Sequence, residues 1–174
     1  VPGRVSSFST RTTHPLFIEK LQELLDGLGV GVRLELPYRF KTKGQMMREC
    51  ADQVLLGAVA SDSTSCGRFR TYNRKHCGRC LPCMIRRAAF LAWGPGRDTT
   101  RYEFPSLLGS DKSSGPDDPM AAALAVLSVR DHGLDRFLGA TLAFASLSER
   151  SSYRQVLQSG LNELEALLQT DRLL

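Results

Sequence analysis

Several features that would define a class of protein are missing from these 174 residues. No apolar run approaches the roughly 18 residues of a membrane-spanning helix, so no such helix and no membrane partner are expected. No stretch of the sequence repeats, which excludes a repeat architecture. The five cysteines are an odd number and cannot all pair in disulfides. Because clustered thiols suit a reducing compartment, we expect a cytoplasmic protein.

What the sequence has instead is four cysteines whose spacing suits one tetrahedral metal ion: Cys66, Cys77, Cys80 and Cys83. Cys77 and Cys80 form a knuckle, in which two thiolates grip one ion and Gly78 allows a tight turn. Pro82 suits the first turn of a helix, which places Cys83 at a helix N-terminus, where the metal-binding thiolate is favoured. The spacing therefore predicts a structural zinc site.

Other uses of the cysteines are less well supported. An iron–sulfur cluster would use the same run, but the fourth cysteine of the ferredoxin pattern, which is followed by proline, is absent. Disulfides are disfavoured because three cysteines lie within seven residues. Cys50 lies on a predicted helix and is interpreted as a small buried residue. His76 could replace a thiolate, but with four thiols available we interpret it as a hydrogen-bond donor to the site.

Positive charge is concentrated next to the cysteines. Residues 67–87 contain seven lysines and arginines and no carboxylate. Four thiolates and one zinc ion would carry a charge of about −2, so about five positive charges remain. This surplus predicts a patch that attracts phosphate, a nucleotide or RNA, and the alternative is a solvated basic face.

The order of the predicted elements is typical of an α/β protein. Apolar residues at helical spacing predict helices over residues 14–27, 43–60 and 82–93. Alternation of apolar and polar residues predicts a strand over 30–36, and a short last strand is predicted over 99–104. Helix, strand, helix, metal loop, helix and strand then follow one another, which is an α/β order.

The chain divides into three parts by composition. Residues 1–105 contain the predicted α/β elements and the metal loop at 66–83. Residues 106–118 have the composition of a linker. Residues 119–174 predict three helices without chemistry-bearing motifs, which we interpret as a helical extension that packs onto the first part or onto a partner.

Five segments around the cysteines resemble, in the same order, a known family of enzymes. They are STRTTHP at 9–15, LPYRFKTKGQM at 36–46, TSC at 64–66, HCGRCLPCMIRRAAF at 76–90 and DTTRY at 98–102. Together they resemble the C-terminal, zinc-binding part of 7-cyano-7-deazaguanine synthases, the queuosine-precursor enzymes. The first segment is more similar to the synthase-like branch found in bacterial anti-phage (Qat-type) operons. The resemblance covers about residues 9–103.

The resemblance implies a parallel sheet of the adenine nucleotide alpha-hydrolase kind. It implies an enzyme that uses ATP with Mg²⁺ to adenylate 7-carboxy-7-deazaguanine, after which ammonia displaces AMP and a second round of ATP use gives the nitrile. It also implies that the zinc held by the four cysteines is structural. The residues implied near the base, or near carboxylate and phosphate oxygens, are Ser9, Thr10, Arg11, Thr12, His14, Lys41, Lys43, Arg86 and Arg87. For the cations among them, an ordinary surface role is the alternative.

One departure from the family pattern limits what this chain is expected to do alone. The family's pyrophosphate loop, Ser-Gly-Gly-x-Asp-Ser after the first strand, is absent from the sequence, so the chain alone is not expected to bind ATP. The chain also begins with Val1 instead of Met. We therefore expect a nucleotide-binding half upstream in the same gene or in a partner chain. Because only two strands are predicted within residues 1–105, that part is not expected to be self-sufficient.

Three functions are compatible with these features. The first is a synthase-like enzyme, active when complete, that acts in anti-phage defence and yields the nitrile base or a conjugate of the base with a protein. The second is a non-catalytic subunit that holds other defence-operon proteins together. The third is a zinc-ribbon module that binds nucleic acid, which the scarcity of aromatic residues near the cysteines, Phe69 and Tyr72 only, disfavours.

Overall fold

The structure, a computed structural model, describes residues 14–108 and 118–174, so the predicted substrate residues Ser9, Thr10, Arg11 and Thr12 lie outside the described residues. Within these ranges the chain forms helices joined by loops and short 3-10 turns. The α-helices are α1 (Pro15–Gly27), α2 (Lys43–Arg48), α3 (Gln53–Val59), α4 (Leu81–Trp93), α5 (Asp118–His132), α6 (Leu134–Leu138) and α7 (Leu147–Thr170). Among the described residues, none of these helices combines the length and the apolar character that a bilayer crossing requires.

Helix α4 is the central element, because it packs against α2, α5 and α7. It begins after Cys80 with Pro82 in its first turn, as the sequence predicts, and ends before Gly94. The main core lies where α4, α5 and α7 meet. Its buried residues are Met84, Ala88, Leu107, Ala122, Ala123, Val126, Leu164, Leu167 and Leu168.

The residues predicted to form a helical extension contain α5, α6 and α7, and α5 and α7 pack against α4. Asp118 begins α5, and its Oδ2 accepts a hydrogen bond from the Leu81 amide at 2.9 Å. This contact satisfies one of the free amides at the start of α4. The extension therefore completes the core around α4 and also caps that helix.

The predicted parallel sheet is not confirmed, because no strand forms within residues 14–108 and 118–174. The segment over residues 30–36 has no regular secondary structure. Among the described residues, its hydrogen bonds to α1 join the Val30 amide to the Leu25 carbonyl and the Gln22 side chain to the Val32 carbonyl and the Leu34 amide. The segment over 99–104 forms one isolated parallel bridge, between His76 and Tyr102. An alternating segment becomes a strand only beside a partner strand, and the described residues provide none for the first segment and only this single bridge for the second.

The helix predicted over residues 43–60 is divided into α2 and α3. Helix α3 is capped by Asp52, whose Oδ1 accepts a hydrogen bond from the Leu55 amide at 2.8 Å. The Gln53 side chain donates to the Cys50 carbonyl at 2.8 Å, which stabilises the connection. Cys50 is therefore half-buried in a loop, and the prediction that it is a buried helical residue is wrong.

Helix α1 matches its predicted range but has no buried residue. Its apolar stripe is open to solvent, with Phe17 45%, Leu24 57% and Leu28 68% exposed. The ring of His14, which caps the helix, contacts Phe144 of the extension at 4.5 Å. An amphipathic helix with an uncovered apolar stripe is a surface that fits a partner.

Candidate metal centre and adjoining cavity

The four cysteine sulfurs converge in the loop before α4, and all four residues are buried. Their ligand atoms all lie within 4.8 Å of one another, with 3.9 Å between the Sγ atoms of Cys66 and Cys80 and 3.9 Å between those of Cys77 and Cys83. A tetrahedral ion with metal–sulfur bonds of about 2.3 Å places its sulfurs about 3.8 Å apart. The four cysteines therefore fit a single metal ion.

The same distances argue against the other uses of the cysteines. A disulfide needs about 2.05 Å between sulfurs, and all five cysteines are free. A cluster of several irons needs a wider gap between its ligating sulfurs than this compact group leaves. The group has room for one ion.

Backbone amides point at two of the sulfurs. The amides of Arg68 and Cys77 each donate to Cys66 Sγ at 3.3 Å, and the Cys80 amide donates to Cys77 Sγ at 3.2 Å. Such donors stabilise the negative charge of a metal-bound thiolate. Gly78 makes the turn possible with φ of 84°, and a Cβ there would lie 2.5 Å from the Phe104 carbonyl oxygen.

Without an ion, the thiols compete for protons. Hydrogen bonds from Cys80 and Cys83 lower the pKa of Cys77, and the hydrogen bond to Cys77 raises the pKa of Cys80 to about 11. The pKa of Cys83 is also raised, first by its hydrogen bond to Cys77. One thiolate is thus favoured and the other two thiols hold their protons, so a metal ion must displace protons when it binds.

His76 supports the loop instead of donating to the sulfurs. It is 5% exposed, and its Nε2 accepts a hydrogen bond from the Ser65 amide at 3.2 Å. Burial first, and then the nearby Arg86 cation, lower the pKa of His76, which keeps its ring neutral. Among the described residues, the hydrogen bonds to the sulfurs come from backbone amides and from the thiols themselves. The predicted role of His76 as a hydrogen-bond donor to the sulfurs is therefore not seen.

A cavity of about 690 Å³ lies beside the metal loop, between α2, α3 and α4. The apolar part of its lining is formed by Met46, Met47, Leu56, Val59, Ala89 and Phe90. The polar part of the lining contains Lys41, Lys43, Glu49, Ser63, Thr64 and Ser65. This size and this mixture of surfaces are typical of a site for a small organic ligand.

The predicted substrate cations have different positions. Lys41 and Lys43 both line the cavity. The Lys41 ammonium forms an ion pair with Glu49, whereas Lys43 has no ion pair or hydrogen bond through its side chain with any described residue. The structure thus brings both predicted lysines to one cavity, where the Lys43 ammonium pairs with none of the described residues.

Arg86 and Arg87 are engaged in the protein. Arg86 lines the cavity, but its guanidinium donates to the carbonyls of Ala60 (2.8 Å), Ser61 (2.9 Å) and Ser63 (2.9 Å) and is buried. It therefore holds the chain that forms the cavity wall. Arg87 forms an ion pair with Asp171 at 3.0 Å and is not among the residues that line this cavity.

Sequence reasoning did not find the apolar lining or the polar wall at residues 63–65. Met46, Met47 and Phe90 have the spacing of ordinary core residues, so nothing local distinguishes them. The wall had one available signal, because residues 63–65 immediately precede Cys66 and must lie beside the metal site.

The fold and the site together define a small helical unit in which a four-cysteine metal centre supports a ligand-sized cavity. Residues 12–94 match the family model described as "Queuosine biosynthesis protein QueC", so this part of the chain is similar to that family. The matched residues contain all four cysteines and the whole lining of the cavity. No curated protein and no solved structure gives a significant match.

Proposed function

We propose that this chain is the base-binding, zinc-stabilised part of a 7-cyano-7-deazaguanine synthase-like enzyme. The observation that carries the proposal is the cavity of about 690 Å³, which lies within the family-matched residues and combines apolar lining residues with Lys43, a lysine that pairs with none of the described residues. The substrate in this proposal is 7-carboxy-7-deazaguanine, a flat bicyclic base that carries one carboxylate.

The lining suits the two ends of such a molecule. Met46, Met47 and Phe90 offer apolar surface for the faces of a flat ring, and polarizable Met side chains adapt to its shape. Lys43 offers an ammonium to the carboxylate and to the oxygens of its adenylate. Both ends of the base are thus matched within one cavity.

The metal in this proposal is zinc, held by the four buried cysteines. Zinc prefers four thiolate and imidazole ligands in tetrahedral geometry, and a closed shell of four thiolates leaves no position for substrate. Its contribution is therefore to folding. It fixes the loop whose residues 63–65 form a wall of the cavity.

ATP and Mg²⁺ would be bound by a nucleotide-binding half outside these 174 residues, because the Ser-Gly-Gly-x-Asp-Ser loop is not among them. The exposed stripe of α1 and the alternating sequence of residues 30–36, which pair with no strand among the described residues, would suit a helix and strand that add to a parallel sheet. We infer that this pair adds to the sheet of the nucleotide-binding half, in the same polypeptide or in a partner chain.

The chemistry would then follow from the placement of the carboxylate. Its oxygen attacks the α-phosphate of ATP and releases pyrophosphate, and ammonia displaces AMP from the acyl-adenylate to give the amide. The amide oxygen then attacks the α-phosphate of a second ATP and releases pyrophosphate, and loss of AMP together with the N–H protons leaves the nitrile. In the anti-phage branch, the alternative product is a conjugate in which a protein amine takes the place of ammonia.

The product identifies which reaction occurs. The complete enzyme, with its nucleotide-binding half, is incubated with the carboxylated base, ATP, Mg²⁺ and ammonium, and the products are analysed by mass spectrometry. We expect the nitrile base, or a protein whose mass has increased by the acylated base. Unchanged base with fully metal-loaded protein would contradict the proposal and favour a non-catalytic assembly subunit.

A nucleic-acid module is less well supported by the loop itself. Phe69 and Tyr72 pack against the cysteine cluster, so they are not free to stack on bases. Lys75 forms an ion pair with Glu103, and the Arg79 guanidinium lies over the Phe104 ring. Part of the basic patch is thus used within the protein.

A further inference from the structure

Helix α7 lies outside the family-matched residues 12–94, yet it contacts the segment that carries both cavity lysines. We propose that α7 positions this segment, residues 38–46, so that Glu163 and Tyr153 are positioning residues for Lys41 and Lys43. The part of the proposal that concerns substrate rests on the proposed function. The part that concerns the lysines rests on the contacts alone.

The first anchor is Glu163, which forms a hydrogen bond with Thr42, the residue between the two lysines. Thr42 is buried, and its Oγ1 donates to Glu163 Oε1 at 2.5 Å. Thr42 also caps α2, because its Oγ1 accepts the Gln45 amide at 3.0 Å while the Gln45 side chain accepts the Thr42 amide at 2.8 Å. Glu163 therefore holds the turn that sets the direction of both lysine side chains.

Gly44 shows how closely α7 approaches this turn. A Cβ at Gly44 would overlap the Glu163 carboxylate and would lie 2.9 Å from the Ala92 side chain. Only a residue without a side chain fits between α4 and α7 at this point. The first turn of α2 is therefore fixed from two sides.

The second anchor lies just before Lys41. Arg39 donates from Nε to the Tyr153 hydroxyl, and its Nη2 lies 3.0 Å from Glu149 Oε1. The Phe40 ring contacts the Tyr153 ring edge-on at 5.0 Å. Because anchors on α7 flank Lys41 and reach Thr42, the backbone between them has little freedom to move.

These polar contacts are separate from the contacts that attach α7 to the molecule. Leu164, Leu167 and Leu168 bury the apolar side of α7 in the main core. We therefore expect α7 to remain docked when Glu163 is replaced, which allows positioning to be measured apart from folding.

The test uses the complete enzyme with Glu163→Ala, and the matched control is Glu165→Ala, which breaks an ion pair from α7 to Arg130 of α5. Loss of a hydrogen bond to a charged group should raise the amide hydrogen exchange of residues 38–46 by about tenfold, with no such change in the control. The rate at which the Lys43 amine is chemically acetylated, measured relative to that of Lys75 in the same molecule, should change as well. Glu163→Gln keeps the acceptor oxygen and should restore both readouts.

Catalysis supplies the remaining readout. Glu163→Ala should raise KM for the carboxylated base by about tenfold and change kcat less, with the thermal midpoint close to that of the control. Tyr153→Phe removes only the hydroxyl that accepts from Arg39 and should act in the same direction, so the test does not depend on one variant.

The outcomes separate this proposal from the proposed function. If the amide hydrogen exchange of residues 38–46 and the acetylation of Lys43 in Glu163→Ala and Tyr153→Phe equal those in the control, the positioning role is overturned. If both readouts change in an active enzyme while KM stays constant, the role in substrate binding is overturned. If the unaltered enzyme is inactive on the carboxylated base, the proposed function fails. The amide hydrogen exchange and the lysine acetylation then decide by themselves whether α7 positions the lysines.

Discussion

At the scale of single residues, the three cations that line the cavity differ in what their charges already bind. Arg86 donates to backbone carbonyls, and Lys41 forms an ion pair with Glu49. Lys43 has no such partner among the described residues. A charge that is not committed within the protein is the one available to stabilise negative charge on a substrate, so Lys43 is the cation on which the proposed chemistry depends most.

Replacing Lys43 with Ala should therefore lower turnover of the complete enzyme by a factor on the order of 10², because one donor to the developing charge is lost. The metal content should not change, since Lys43 is not a ligand. The matched control is Lys75→Ala, an exposed lysine outside the cavity. Turnover of the Lys43 variant equal to that of the control, at saturating ATP, would remove Lys43 from the site.

Cys80 provides the test of the metal centre. Cys80→Ser removes one of four ligands and should reduce bound zinc to a small fraction of one ion per chain, with loss of structure over residues 66–90. Cys50→Ser is the control, because that thiol lies outside the cluster. Metal analysis that finds full zinc in the Cys80 variant, or iron in the unaltered protein, would refute the assignment.

At the scale of elements, the knuckle between the second and third ligands depends on its glycine. Gly78→Ala places a Cβ against the Phe104 carbonyl oxygen in a backbone with φ of 84°. We expect the free energy of unfolding to fall by about 1–3 kcal/mol and metal affinity to weaken.

The control for that prediction lies in the same loop. A Cβ added at Gly67 meets no atom within 4 Å, so Gly67→Ala should leave the denaturation midpoint nearly unchanged. Equal midpoints for the two variants in denaturant titrations would show that the knuckle tolerates a side chain and that the close approach does not matter.

The elements also show which signals a sequence carries locally. The start of α4 beside Pro82 and the position of α1 were predictable, because caps and helical spacing act within a few residues. The break between α2 and α3 was not, since Asp52 resembles any polar residue on a helix surface until its side chain is seen to cap. The strands over 30–36 and 99–104 could not be verified from local pattern, because a strand is defined by its partner.

The candidate site divides in the same way. The four ligands were predictable because their spacing is imposed by one ion. The cavity was not, since α2, α3 and α4 each contribute a few lining residues that look like core positions. The direction of Arg86, toward carbonyls of residues 60–63, depends on tertiary packing that no local pattern encodes.

At the scale of the whole molecule, the uncovered stripe of α1 predicts a dependence on the nucleotide-binding half. Leu24 is 57% exposed, so Leu24→Glu should leave this chain folded and yet lower the thermal midpoint and the activity of the complete enzyme. Lys20→Ala, also on α1 and paired with Glu23 in solvent, is the control. Equal midpoints and activities for the two variants would show that the stripe does not face that half.

The whole molecule also joins two parts of different character. The family-matched residues contain the metal centre and the cavity, and the extension contributes the helices that complete the core around α4. The extension therefore belongs to the unit that we propose binds the base, and we propose that this unit serves ATP-dependent activation of a carboxylate.

The most direct test of that claim is pyrophosphate release by the zinc-loaded complete enzyme. We expect release that requires both ATP and 7-carboxy-7-deazaguanine, and no release with 7-deazaguanine, which has no carboxylate to activate. Release at the background rate with the carboxylated base, from enzyme that holds one zinc ion per chain, would contradict the account.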